Sequence, residues 1–274
     1  MMGERAITIR HMIVLGIFAA AIVAFTLHAI ETPNQLGRPE FLTGYVLFGL
    51  MLGVALLNVR KRLSMVPIGR AAYWLALHVL GGFLIIGIYF IHTQTIWPQG
   101  GHERAFAMLV YLVTASGIYG YVIQRIIPRR LTTTGLEIVY ERIPAELANI
   151  RHEAQEIVLA CTKEAGTDTL ARHYLESLSW YFRRPRFLVG HVFALQSGEH
   201  WVRFQMQTIG RYLNEAERRH LARLEEIALY KNKIDLHFAG QSLLKYWLLV
   251  HVPLSAALLA VMFWHVIVVN VYAL

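Results

Sequence analysis

HVLGGFLIIGIYFIH, residues 78–92, and HVPLSAALLAVMFWH, residues 251–265, share one outline: a histidine at each end, 13 residues between, and no Asp, Glu, Lys or Arg. Read as helices, the 14-residue step turns roughly 1400°, about 40° short of four full turns, so the two histidines of each stretch share a face. The helical rise separates them by roughly 21 Å. That sets one near each side of a hydrocarbon layer about 30 Å thick. An ionisable side chain inside such a layer is costly and marks a functional position by default.

Outward from these stretches, the apolar residues fall into five blocks: Met12–Ile30, Phe41–Val59, Ala71–Ile91, Ala105–Ile123 (extended by Ile126 and Ile127) and Tyr246–Leu274. Each approaches or exceeds the 20 or so residues that a spanning helix needs. The composition agrees, with 56% hydrophobic and 16% charged residues in a chain of 274. Soluble domains carry about 45–50% and about a quarter. Disordered, collagen-like and disulfide-stapled proteins are excluded. Cys161 is the one cysteine, so the chain holds no intrachain disulfide, Cys-ligated zinc site or iron–sulfur cluster. Glu31-Thr-Pro-Asn after the first block reads as a turn rather than a signal-peptide cleavage site.

The expected fold is an all-α membrane protein. Five transmembrane helices are expected, the last four forming a haem-binding bundle, with a mostly helical cytoplasmic insertion. The organisation reads as residues 1–127 (helices one to four), 128–245 (the insertion) and 246–274 (helix five). Orientation follows from Lys and Arg in the connections. One side holds Arg5, Arg10, Arg60, Lys61, Arg62, Arg70, Arg125, Arg129 and Arg130, and the other only Arg38 and Arg104. This places the N-terminus and residues 128–245 in the cytoplasm and the C-terminus outside, as in a multi-pass protein of a bacterial-type inner membrane. The third and fifth helices then run parallel. The insertion carries 17 Lys/Arg against 14 Asp/Glu. The basic pI therefore reads as a membrane-adjacent surface rather than a nucleic-acid site.

Parallel third and fifth helices bring His78 opposite His251 at one depth and His92 opposite His265 at the other. Two opposed neutral imidazoles suit the two axial positions of a haem iron, and helix bundles build cofactor sites in this way. Gly81, Gly82 and Gly87, with Ser255, Ala256 and Ala257 on the partner helix, offer small surfaces to a flat ring or to a helix contact. Pro253 removes the hydrogen bond to the Leu249 carbonyl and favours a bend. Tyr89, Phe90, Phe263 and Trp264 are expected against the ring or at the interface. The rival reading is a histidine-lined transporter or channel without haem. It predicts acidic partners in the spans, and none occurs at 71–102 or 246–274. His11 and His28 flank the first segment at interfacial positions, and His102 is expected to be solvent-exposed. A quinone beside a haem edge needs a proton acceptor, for which His102 and Glu103 are the titratable pair of the outer loop.

The His-x13-His pair on two parallel helices resembles the dihaem membrane cytochrome b superfamily, which includes cytochrome b of the quinol–cytochrome c reductases and membrane subunits of respiratory dehydrogenases. The resemblance covers the four-helix core, about half the chain. It implies two haems b, with His78, His92, His251 and His265 as the axial iron ligands, and electron transport across the membrane. The implied partners are a quinone pool, other subunits of a membrane redox complex, a periplasmic cytochrome or redox enzyme, and membrane lipid. The chain departs from the quinol–cytochrome c reductases: the Pro-Glu-Trp-Tyr signature of their outer quinol site is absent, and more than 110 residues precede the last ligand helix.

Within the insertion, Leu136–Arg142 is expected to be a short strand. Ala145–Lys163 reads as a helix with Leu147, Ile150, Ala154, Ile157 and Val158 on one face. A second helix is expected from Thr167-Asp-Thr toward Phe182. A third starts at a capping box, Asn214-Glu-Ala-Glu217, and runs to about Lys233 with Leu221, Leu224, Ala228 and Leu229 inward. No nucleotide-binding glycine pattern is present. His152, His173, His191, His200, His220 and His237 lack ligand spacing and are expected on the surface or satisfied in the core. Arg183, Arg184 and Arg186 are candidates for phosphate head groups, an acidic partner or a haem propionate.

Overall fold

The computed structural model describes residues 39–62 and 71–272, with residues 16–17, 19–24 and 27 before them. The expected first span, Met12–Ile30, therefore lies mostly outside the described residues, as do His11 and His28. The described residues form helices and no strands. In chain order these are α1 (Pro39–Arg62), α2 (Ala71–Thr93), α3 (Gly101–Thr132), α4 (Ile143–Ala165), α5 (Thr169–His173), α6 (Ser179–Arg183), α7 (Leu188–Val192), α8 (Ser197–Gly210) and α9 (Glu215–Tyr272). Four of them, α1, α2, α3 and α9, are long and apolar enough to cross a membrane. Their exposed apolar side chains, including Leu42, Leu56, Leu75, Phe83, Leu112, Ile118 and Ile267, are what a hydrocarbon surrounding accepts and water penalises.

The chain divides into two compact units, Met1–Tyr121 with Leu249–Leu274, and Val122–Leu248. In the first, one buried cluster draws from four helices: Leu47 and Met51 on α1, Ile85, Ile88 and Tyr89 on α2, Ala107 and Val110 on α3, and Leu258 and Met262 on α9. Gly81 makes the α1–α2 contact close, since a Cβ there would meet the Val54 side chain at 2.5 Å. Gly82 and Gly87 have nothing within 4 Å of a built Cβ.

In the second unit, α4 buries Ile143, Leu147, Ile150, Ala154, Val158 and Cys161, a 3.6-residue stripe that includes most of the face read from the sequence. Leu221, Leu224 and Ala228 on α9 meet the same core. α4 ends at Gly166 in the left-handed region (φ 66°), its N–H closing on the Thr162 carbonyl at 3.1 Å. That conformation favours glycine. The capping box forms as read: Asn214 N donates to Glu217 Oε2 at 3.0 Å, and Glu217 N donates to Asn214 Oδ1 at 2.9 Å.

Two expectations are corrected. Leu136–Arg142 is not a strand: it is irregular up to a single 3-10 turn, Tyr140–Arg142, because no neighbouring strand exists to pair with it. The helix expected to end near Lys233 does not end there. It continues into the last span as one 58-residue helix that passes through Gly240 and Pro253; the six residues directly after Lys233, Ile234 to Ala239, include no glycine or proline to stop it. The stretch between Arg186 and Gly210 holds α7 and α8.

Candidate functional site

In the first unit the His78 and His251 rings face each other edge to face, with centroids 6.3 Å apart. α2 and α9 present them from opposite sides. His78 Nδ1 donates to the Val54 carbonyl at 3.1 Å. A carbonyl can only accept, so Nδ1 carries a proton, and the neutral form of the ring has its lone pair on Nε2. His251 Nδ1 lies 3.2 Å from Ser116 Oγ on α3, and a Cβ on the adjacent Gly117 would sit 3.7 Å from His251 Cε1.

Fourteen residues along both helices, His92 and His265 line one cavity of about 370 Å³ with Glu40, Gly44, Tyr89, Glu103 and Phe106 among its walls. The close pair at one end and the shared cavity at the other run α2 and α9 in the same direction. Thr43 Oγ1 donates to the Glu40 carbonyl at 3.1 Å and lies 3.0 Å from His92 Nδ1. With its proton given to the carbonyl, the hydroxyl receives the His92 Nδ1–H, and Nε2 again carries the lone pair. Gly44 stands against this ring, where a Cβ would come within 3.1 Å of His92 Cε1.

A hydroxyl followed by glycine therefore faces a histidine twice: Thr43-Gly44 from α1 on His92, and Ser116-Gly117 from α3 on His251. The hydroxyl meets Nδ1 and the glycine leaves room for the ring edge. Sequence reasoning missed these four residues and the Val54 carbonyl. The repeated dipeptide was a visible signal, although its direction toward a histidine was not.

His102 is corrected. It is not a solvent-facing loop residue: its ring stacks on His265 at 5.9 Å with an 18° interplanar angle, and its Nε2 is buried with no hydrogen-bond partner. The loop after α2 is short enough for the first turn of α3 to fold back over the bundle end. Phe106 is the aromatic neighbour of His265, 5.4 Å away. Tyr89 lines the cavity, while Phe90, Phe263 and Trp264 are exposed. The acidic residues absent from the two histidine stretches come from elsewhere, with Glu40 on α1 and Glu103 on α3 both lining the cavity.

Among the described residues, no three His, Cys, Asp or Glu side chains converge as a metal-binding group. The His78–His251 pair suits two opposed nitrogen ligands on one centre whose other bonds come from elsewhere. Comparison of the chain with protein-family models, with curated proteins and with solved structures finds no match.

The histidines of the second unit serve other ends. His152 pairs with Glu156 at 3.3 Å and His220 with Glu164 at 2.9 Å. His237 Nε2 bonds Thr134 Oγ1 at 2.9 Å. His173 and His191 depart from the expected satisfaction, because each buries an Nε2 without a partner. Burial, then the Lys231 and Arg130 charges, push His191 down to about 4, so it is neutral at pH 7. Arg130, counted in the sequence with the basic connections, donates to the His191 and Val192 carbonyls at 2.6 and 2.7 Å. It closes the end of α7.

Proposed function

We propose that the first unit is a dihaem cytochrome b that carries electrons across a membrane between a quinone pool or redox partner and a second redox protein, as a subunit of a larger complex. The observation that carries this reading is the spacing of His78 and His251. Two imidazoles ligating one metal through nitrogens at about 2 Å each have ring centres about 6 Å apart, and the rings lie at 6.3 Å. A haem would need two nitrogen ligands from the protein, which His78 and His251 would supply; among the described residues no third His, Cys, Asp or Glu joins them.

Bound between these pairs, two b haems would supply one-electron transfer. The chain's part is to hold and orient them. His78 with His251, and His92 with His265, would hold the two groups through their ring nitrogens. The Val54 carbonyl, Ser116 and Thr43 engage the opposite ring nitrogens, which fixes ring rotation and raises ligand basicity. Glycines 44 and 117 keep the ring edges unobstructed. Lys and Arg enrichment supports an orientation with residues 128–245 in the cytoplasm. The cavity around His92 and His265 is also where a quinone would exchange protons. Glu103, which lines the cavity, and His102, stacked on His265, would be the titratable groups to receive them, and Glu40 also lines the cavity.

Glu40 and Glu103 also favour a second reading. A histidine path with carboxylates at its mouth is what a haem-free proton or cation transporter requires. Haem per polypeptide on the purified chain, with dithionite-reduced difference spectra of the wild type, His251→Ala and His265→Ala, separates the two. Two b haems, with each variant losing a different one, are expected. A wild-type chain without haem leaves only the transport reading.

A further inference from the structure

In the second unit, α4, α9 and the segment after α6 enclose a cavity of about 310 Å³. Its basic lining is Arg151, Arg183 and Arg184, and its apolar floor includes Ile143, Leu147 and Phe238. No carboxylate lines it, and none lies within ion-pair distance of these three arginines among the described residues. Elsewhere on the unit, Arg172, Arg203, Arg219 and Arg223 each pair with an Asp or Glu. Arg186, grouped with Arg183 and Arg184 in the sequence, serves another purpose: its guanidinium lies 4.5 Å over the Trp180 ring and donates to the Trp180 carbonyl.

The segment that carries the arginines is fixed from beneath. Lys231 and Asp235 on α9 are both fully buried and pair at 2.5 Å. Lys231 Nζ also donates to the Arg184 carbonyl at 2.9 Å, and Asp235 Oδ2 accepts the Arg186 N–H at 3.2 Å. Pro185 restricts the residue before it to extended backbone, and Arg184 has φ −147° and ψ 159°. A buried ion pair is a poor source of net stability. Here it holds the backbone on both sides of Pro185, so that the main chain carrying Arg183 and Arg184 is already ordered at the cavity that Arg151 also lines.

We propose that this cavity binds a phosphate ester. Arginine forks match phosphate oxygens in bidentate geometry. Inorganic phosphate would occupy only part of the space, since a water takes about 30 Å³ and ligand sites start near 300 Å³. The apolar floor fits the carbon-bearing part of an ester. The same chemistry comes from an anionic phospholipid head group or from a soluble phosphate ester.

The test is calorimetric titration of the full chain, in an uncharged detergent, with dioctanoyl phosphatidylglycerol and separately with glycerol 3-phosphate. At least one probe is expected to bind. Arg184→Gln should weaken it about tenfold, the loss of one charge-assisted contact. The Arg151→Gln/Arg183→Gln/Arg184→Gln triple variant should abolish it. Arg218→Gln, an exposed arginine outside the cavity, should leave it unchanged. Arginine-dependent binding of the lipid alone assigns a head group, and comparable binding of both probes assigns the ester itself. Binding of neither probe, or equal weakening by Arg218→Gln, overturns the proposal. All four positions are exposed, so the variants should fold, and an unchanged thermal midpoint checks that they do.

Discussion

His251 and the Lys231–Asp235 pair lie on the same helix, α9, within 20 residues of one another. In the second unit the polar pair is sealed. Both side chains have zero exposure, and the charges are met by each other, by the Arg184 carbonyl and by the Arg186 N–H. Burial still pushes Lys231 down and Asp235 up. In the first unit, His251 has its Nδ1 engaged by Ser116 and its ring turned toward His78. One arrangement uses Lys231 Nζ and Asp235 Oδ2 to fix a backbone segment and leaves Asp235 Oδ1 buried without a hydrogen-bond partner. The other holds a ring by its Nδ1 with its centroid 6.3 Å from a partner ring. Buried polar groups on one helix thus divide into a pair that holds backbone and a ring that, in the proposed function, would hold a ligand.

The largest effect should come from the ligand-holding kind. His78→Ala and His251→Ala are expected to lose the same haem spectral component completely, and His92→Ala and His265→Ala the other. Loss of different components by the first two variants breaks the pairing. Next comes the structural kind. Lys231→Met strands a buried carboxylate and should cost about 3–5 kcal/mol, read as a lowered thermal midpoint. Lys231→Met/Asp235→Leu should recover most of that loss, and a double variant no more stable than the single one would mean the pair is not sealed as described.

Thr43→Val and Ser116→Ala sharpen the comparison from within the first unit. Each should weaken retention of one haem by roughly 10- to 100-fold and leave the other intact. Equal effects on both haems in a competitive haem-transfer assay would refute the assignment of one hydroxyl to each pair.

A smaller effect follows from His191. Its folded pKa is depressed to about 4, by burial first and then by Lys231 and Arg130. The unfolded chain therefore takes up a proton near pH 6.5 that the folded chain refuses until about pH 4. This contribution is fully present above pH 6.5 and is lost as pH falls toward 4. The loss should be on the order of 3 kcal/mol. His191→Gln should flatten the stability profile across that window, and an unchanged slope would remove His191 from the account. The smallest effect belongs to the capping box, where Asn214→Ala should cost about 1 kcal/mol in denaturant unfolding.

Much of this was legible in the chain. Four of the five apolar blocks are long helices, and the α4 stripe and the Asn214–Glu217 cap lie where their periodicity and residue types put them. The shared 14-residue step of the histidines also survives as a common direction of α2 and α9. The illegible parts depended on atoms from distant segments. Glu40 and Glu103 could not be joined to His92 and His265, nor His102 to His265, because each belongs to a different helix or helix end. The strand expected at Leu136–Arg142 failed for the converse reason: local β-propensity without a pairing partner leaves backbone groups unmet.

By itself the sequence determined the helices, their apolar faces and the positions of the four histidines, because hydrophobic periodicity and residue spacing are local properties of the chain. Tertiary structure alone decided which nitrogen of His78 and His92 holds the proton, which arginines share a cavity and which carboxylates reach the histidines. Those are set by hydrogen-bond partners and side-chain directions from separate helices, and distance along the chain carries no record of them.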